Sequence, residues 1–214
     1  MDNSDSDTGN KLVLIGDCGV GKTCIISRFT TGEFNKNVVS TDGAVYARKK
    51  IEYPHLGKTL DLDIWDTAGQ EKYKSLTKFF YKDAAMIILV YDITNRASFE
   101  NLKNVWYKEI KENGDKHVIL GIAGNKCDLY ENEQVNEKEA REFAKSINAI
   151  FALTSAQDNN GIDKLFEDIG NKFLDPKFQQ NLQIEENEKE TKRKITLTKK
   201  DFSAKKEKHK KKCC

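Results

Sequence analysis

Apolar positions along this chain fall into short runs that alternate with longer amphipathic stretches. Leu12 to Ile15 is one such run, stopping at Gly16, which is the pattern of a strand buried on both faces. A helical period follows from Lys22 to about Thr30, whereas Thr31 to Gly43 holds no sustained period and reads as a loop. Alternation over Ala44 to Tyr53 and Thr59 to Trp65, parted by Pro54 to Gly57, predicts an antiparallel hairpin. Asp66 to Ser75 reads as a second loop. Strands are then expected at Met86 to Tyr91, Val118 to Ala123 and Ile150 to Leu153. Helices are expected at Ser98 to Glu112, Asn136 to Ile147 and Ile162 to Leu174. Strands alternating with helices of this length predict an α/β fold, a parallel sheet with helices on both faces.

Beyond about Asp175 the apolar period fades into a stretch rich in Lys and Glu, too poor in apolar surface to offset its ordering entropy. The expected organisation is a flexible N-terminus (1–10), one globular domain (11–174) and a disordered basic tail (175–214). The net charge of +2 conceals an asymmetry: Lys189 to Cys214 carries 12 Lys and Arg against three acids, leaving the rest of the chain at −7. Proteins that grip nucleic acid through their fold carry the basic charge on the domain, and here it sits on the tail, so no nucleic-acid partner is expected. The polar, acidic first ten residues are no secretory signal, and the longest apolar run, Ala84 to Tyr91, is too short to span a bilayer. Five cysteines in no metal-ligand or disulfide spacing point to reduced cytosol.

Gly16-Asp17-Cys18-Gly19-Val20-Gly21-Lys22-Thr23 matches G-x-x-x-x-G-K-[ST] between a predicted strand and a predicted helix. Its glycines let main-chain N–H groups turn in around phosphates at a helix N-terminus. Lys22 would reach the β and γ phosphates and the Thr23 hydroxyl would bind Mg²⁺. Asn125-Lys126-Cys127-Asp128 follows a predicted strand, where ligand loops of α/β sheets emerge. A carboxylate at Asp128 accepts two N–H bonds from the guanine edge, which adenine lacks, so Asp128 would select the base. Asn125 would tie this loop to the phosphate loop, the Lys126 stem would cover the base, and Thr154-Ser155-Ala156 would offer the Ala156 N–H to guanine O6. In the loop from Trp65 to Glu71, Asp66 would hold Mg²⁺ through a water, Gly69 would meet the γ-phosphate by its N–H, and Gln70 would orient the attacking water. Thr41 would supply a further Mg²⁺ ligand when GTP is bound.

The segments GDCGVGKT, WDTAGQE, NKCD and TSA, in this order and spacing, make the chain resemble the Ras superfamily of small GTPases. LVYDITN at Leu89 to Asn95 and the terminal Cys213-Cys214 are similar to the Rab family in particular. The resemblance spans roughly Lys11 to Leu174 and the last two residues. It implies a P-loop NTPase fold: a three-layer α/β/α sandwich whose six-stranded, mostly parallel sheet has one antiparallel strand. It implies nucleotide contacts from Asp17, Cys18, Gly19, Val20, Gly21, Lys22, Thr23 and Cys24, then from Phe34 against the guanine edge, Thr41, Gly69, Asn125, Lys126, Asp128, Ser155 and Ala156. Mg²⁺ would rest on Thr23, Thr41 and Asp66, with Gln70, Lys22 and Thr41 serving hydrolysis. Tyr46, Trp65 and Phe80 would form an effector-facing aromatic triad.

The implied partners are an exchange factor, a GTPase-activating protein, a GDP-dissociation inhibitor or escort protein, and effectors acting on a monomer. Lys-Lys-Lys-Cys-Cys fits double prenylation at Cys213 and Cys214, which would put the protein on the cytoplasmic side of an intracellular membrane with a cytosolic pool. Three positions depart from the family pattern: Asp42-Gly43-Ala44-Val45-Tyr46 replaces an Ile-Gly-Ile-Asp-Phe-like segment, Gln157 replaces a Lys, and Cys18 replaces a Ser. Asp42 keeps open an alternative, a GTP-loaded binding module on membranes that hydrolyses poorly.

Overall fold

Leu12, Val13, Leu14 and Ile15 are all but fully buried, and a strand hidden on both faces needs a neighbour along each edge as well. In the computed structural model, which describes residues 9–35, 44–67, 81–115 and 117–180, strand β1 (Asn10–Ile15) has both. It pairs in parallel with β3 (Lys58–Thr67) on one side and β4 (Met86–Asp92) on the other. The sheet order is β2-β3-β1-β4-β5-β6, with β2 (Ala44–Tyr53) antiparallel to β3 and β5 (Ile119–Asn125) and β6 (Ile150–Thr154) extending the parallel side. This six-stranded mixed sheet is the α/β architecture that the sequence pattern and the resemblance imply.

Alternate residues of a strand face opposite layers. Val13, Ile15, Ile87, Leu89 and Tyr91 meet one layer, helices α2 (Arg96–Asn101), α3 (Tyr107–Asn113) and α4 (Glu137–Ser146), through Phe99, Leu102, Trp106, Ile110, Ala140 and Ala144. On the opposite layer α1 (Lys22–Thr31) and α5 (Ile162–Leu174) join by a parallel stack of Phe29 on Phe166, centroids 3.7 Å apart. Gly170 lies where a Cβ would come within 1.8 Å of the Tyr53 hydroxyl, so α5 seats against the hairpin only without a side chain there.

Several boundaries differ by a residue or two from those the pattern predicts, β5 for one running on through Asn125, and three further differences have a local cause. Asn10, expected in the flexible N-terminus, already pairs with Leu62 in β1. Asp66 and Thr67, expected in a loop, belong to β3, because Asp66 is in register with both Val45 and Leu14 and Thr67 Oγ1 donates to the Leu14 carbonyl at 2.7 Å. The Asp-Thr pair favours turns locally, but a ladder on both sides overrides that preference. The helix expected over Ser98 to Glu112 begins at Arg96, where the Asn95 side chain accepts from the Ser98 N–H, and it contains a π-helical turn over Leu102–Trp106. The expected loop from Thr31 to Gly43 and the one after Thr67 fall largely outside the described residues.

The chain divides into two units after Lys172, and of the second unit residues 173–180 are described. In the second, the Asp175 carboxylate accepts from the Lys177 N–H at 2.8 Å and opens a helical turn. No helix among the described residues is long and apolar enough to cross a membrane.

Candidate functional site

Strands β1, β3, β4, β5 and β6 all run the same way, so their carboxyl ends share one edge of the sheet, where α/β folds bind ligands. That edge gathers Gly16, Asp66, Asp92, Asn125 and Thr154, and the loops that follow supply the rest.

The loop from Gly16 to Gly21 is shaped by close approaches that exclude side chains. A Cβ on Gly16 would lie 2.2 Å from the Val90 carbonyl oxygen. Gly21, at φ 96°, begins α1 in a left-handed conformation, and a Cβ there would strike Asn125 Nδ2 at 2.4 Å. Because Gly21 has no side chain to cap the helix, the first N–H groups of α1 face the loop interior with the positive end of the helix dipole behind them. This is an anion cradle. Lys22 is buried, and its ammonium donates to the carbonyls of Gly16 at 2.8 Å and Asp17 at 2.9 Å, closing the loop from within. Burial holds its pKa below the usual lysine value, while Asp66, Cys18 and Asp17 pull it back up.

Thr23 Oγ1 lies 2.5 Å from Asp66 Oδ2, so a hydroxyl and a carboxylate converge at the mouth of the cradle. No group of three or more His, Cys, Asp or Glu gathers among the described residues. Two hard oxygens beside a phosphate cradle suit a small divalent cation that keeps several waters, which is the fit Mg²⁺ requires.

The base-side loop is built from side-chain bonds. Asn125, 2% exposed, donates from Nδ2 to the Val20 carbonyl at 2.8 Å and accepts from Thr154 Oγ1 at 3.1 Å, so β5, β6 and the phosphate loop meet on one amide. Lys126 takes φ 65°, which turns its ammonium onto Asp92 Oδ2 at 2.7 Å. Asp92 Oδ1 is held in turn by the N–H and hydroxyl of Thr94 at 2.8 and 2.7 Å. Buried Ser155 donates to Asp128 Oδ1 at 2.6 Å and fixes the carboxylate's direction. Arg28 reaches across from α1, its Nε donating to the Ala156 carbonyl at 2.8 Å and one terminal nitrogen to that of Gln157 at 3.1 Å. Its guanidinium also lies 5.8 Å from the centre of the Phe34 ring.

Thus Asp17 to Cys24, Phe34, Asp66, Asn125, Lys126, Asp128, Ser155 and Ala156 all stand at this edge or on the loops and helix that leave it. Cys24 is half-buried, and burial raises its thiol pKa, whereas Cys18 is exposed. Thr41, Gly69, Gln70, Phe80, Asp42, Cys213 and Cys214 lie outside the described residues. Tyr46 and Trp65 are cross-strand partners in the hairpin and meet edge-to-face with centroids 5.3 Å apart. Reasoning from motifs missed Arg28 and Asp92, and also Asn101 and Trp106, whose side chains donate to the Asp17 carboxylate. Asp92 had a signal, a lone acid closing the apolar run of β4, but the other three act across long sequence separations and left none.

A family model described as Ras family matches residues 11–175. Ras-related protein Rab-22A of Homo sapiens is 43% identical over 164 residues, covering 76% of this chain and 82% of that protein. Ras-related protein Rab-31 of Homo sapiens is 44% identical over 169 residues, 78% of this chain and 85% of that one. Ras-related protein Rab-13 of Rattus norvegicus is 43% identical over 164 residues, 77% and 79% respectively.

Proposed function

Since the chain belongs to the Ras family, and within it to the Rab small GTPases, we propose that it is a membrane-tethered switch that recruits effectors in vesicle trafficking. As a small GTPase it binds GTP or GDP with Mg²⁺ and hydrolyses GTP. The observation that best supports the residue assignment is the single bond from Asn125 Nδ2 to the Val20 carbonyl, because it couples a phosphate-shaped loop to a loop bearing a directed carboxylate. A ligand with phosphates at one end and a purine with paired donors at the other matches that arrangement.

In this reading the main-chain N–H groups of the Gly16–Thr23 loop and Lys22 bind the β and γ phosphates. Asp128, aimed by Ser155, accepts from guanine N1 and the 2-amino group, and Arg28 steadies the peptide whose Ala156 N–H meets O6. Phe34 packs on the guanine edge. Thr23, Thr41 and, through a water, Asp66 would hold Mg²⁺, which would supply charge to offset the oxygens of the transferring group. Gln70 orients water in line with the γ-phosphorus, and its attack breaks the bond to the bridging oxygen to yield GDP and phosphate. A GTPase-activating protein completes the site, an exchange factor reloads it, and effectors read the GTP form at Tyr46, Trp65 and Phe80. Two lipids on Cys213 and Cys214, with the lysines before them, hold the chain on the cytoplasmic leaflet, and a GDP-dissociation inhibitor or escort protein carries the cytosolic pool.

Calorimetry on nucleotide-stripped protein tests the core of this. Micromolar or tighter GDP and GTP binding with no measurable ATP binding is expected, and equal affinity for ATP defeats it. Single-turnover hydrolysis unchanged in Gln70→Leu removes the role given to Gln70. Mass spectrometry of protein from its native cell that finds both terminal cysteines bare rules out the anchor.

A further inference from the structure

Asp17 is the one acid inside the phosphate loop, and an unrestrained carboxylate there would repel the ligand's phosphates. Both its oxygens are instead taken by one neighbouring helical segment. Trp106 Nε1 donates to Oδ1 at 2.7 Å, and Asn101 Nδ2 donates to Oδ2 at 2.7 Å. These residues stand at the C-terminus of α2 and at the end of the π turn, where the Tyr107 N–H bonds the Leu102 carbonyl five residues back. Leu102, Trp106 and Ile110 are all buried at four-residue spacing. Such a spacing drifts by about 40° per step around a regular α-helix, and a wider turn takes up that drift. The π turn therefore keeps the indole on the buried face with its N–H toward the phosphate loop.

The same Asp17 offers its main-chain carbonyl to the Lys22 ammonium at 2.9 Å. A fixed Asp17 side chain thus fixes the peptide on which the phosphate-gripping lysine leans. We propose that Trp106 and, more weakly, Asn101 are positioning residues that lock the phosphate loop through Asp17 and so set how long nucleotide is retained. This rests on the guanine-nucleotide reading above.

The test is release of fluorescent N-methylanthraniloyl-GDP from the full chain with Mg²⁺, chased by unlabelled GDP. Losing a buried hydrogen bond to a charged group corresponds to about 10- to 100-fold, so Trp106→Phe is expected to speed release by at least about 10-fold. Asn101 is exposed, and Asn101→Ala is expected to give about 2- to 5-fold. In an Asp17→Ala background neither change should speed release further, because the carboxylate they restrain is gone. A purely structural tryptophan predicts the opposite: the Trp106→Phe effect persists in that background and tracks the fall in melting temperature. That result, or wild-type release rates in both variants, overturns the lock. Should Trp106→Phe fail to fold, Asn101→Ala alone with and without Asp17→Ala decides it. If the wild type retains no guanine nucleotide, the functional reading fails instead. Amide exchange over Gly16 to Thr23 in nucleotide-free protein, faster in Trp106→Phe under the lock and unchanged without it, then still reads the coupling.

Discussion

The two ends of the site are made in different ways. The phosphate end is a shape: main chain bent by Gly16 and Gly21, with every critical clearance set against a backbone carbonyl or a buried amide. The base end is a set of side-chain bonds, Ser155 to Asp128, Lys126 to Asp92 and Asn125 to Thr154. A shape tolerates no added atom, whereas a set of bonds loses one partner at a time and changes preference before it loses function. Phosphates are common to every nucleotide and need only charge and fit, so the rigid end carries affinity. In the proposed function the purine carries the information, which assigns choice to the bonded end.

Gly21→Ala should break the phosphate end outright. A left-handed alanine costs about 1–2 kcal/mol, and displacing the Asn125 amide adds about 1–3 kcal/mol, so GDP affinity should fall by roughly 30-fold or more in calorimetry. A loss below about fivefold would show that the loop is not defined by shape. Asp128→Ala should act on choice instead. Inosine triphosphate lacks the 2-amino donor, and a bond to a charged acceptor is worth about 10- to 100-fold, so the preference for GTP over ITP should collapse toward unity. Retained preference would move base reading elsewhere.

Lys126→Met removes the tie to Asp92 while keeping most of the stem. It should weaken GDP binding by about 3- to 10-fold, discounted because this pair is partly exposed, and leave the GTP-to-ITP ratio intact. A changed ratio would mean that the two ends are less separable than the bonds imply. The smallest effect lies off both ends. Burial, with Glu167 and Asp168 adding to it, pushes the Tyr53 hydroxyl up to about 12, above the value near 10 of an unfolded tyrosine. The folded state then keeps a proton that the unfolded chain sheds, so stability is full below about pH 10 and declines toward pH 12. Tyr53→Phe should flatten that alkaline decline in thermal melts and leave GDP affinity at neutral pH unchanged.

Much of this was legible beforehand because it is local. Short apolar runs located four of the five parallel strands, alternation located the hairpin that holds the fifth, and Gly-x-x-x-x-Gly-Lys-Thr placed a cradle where a strand meets a helix. Asp66 was legible as a candidate ligand but not as part of a strand, since its pairing with Val45 and Leu14 joins segments far apart in the chain. The helix from Arg96 was legible, but its π turn was not, because only the packing of Leu102, Trp106 and Ile110 favours a widened turn over a regular one.

By itself the sequence determined which elements form and which residue types are candidates to face phosphate, metal and base, for those depend on period and on motifs within a few residues. Tertiary structure alone decided who holds those residues in place: Arg28 on the Ala156 carbonyl and Trp106 on Asp17. Hydrogen bonds between distant segments exist only once the sheet has aligned them, and no local pattern encodes that alignment.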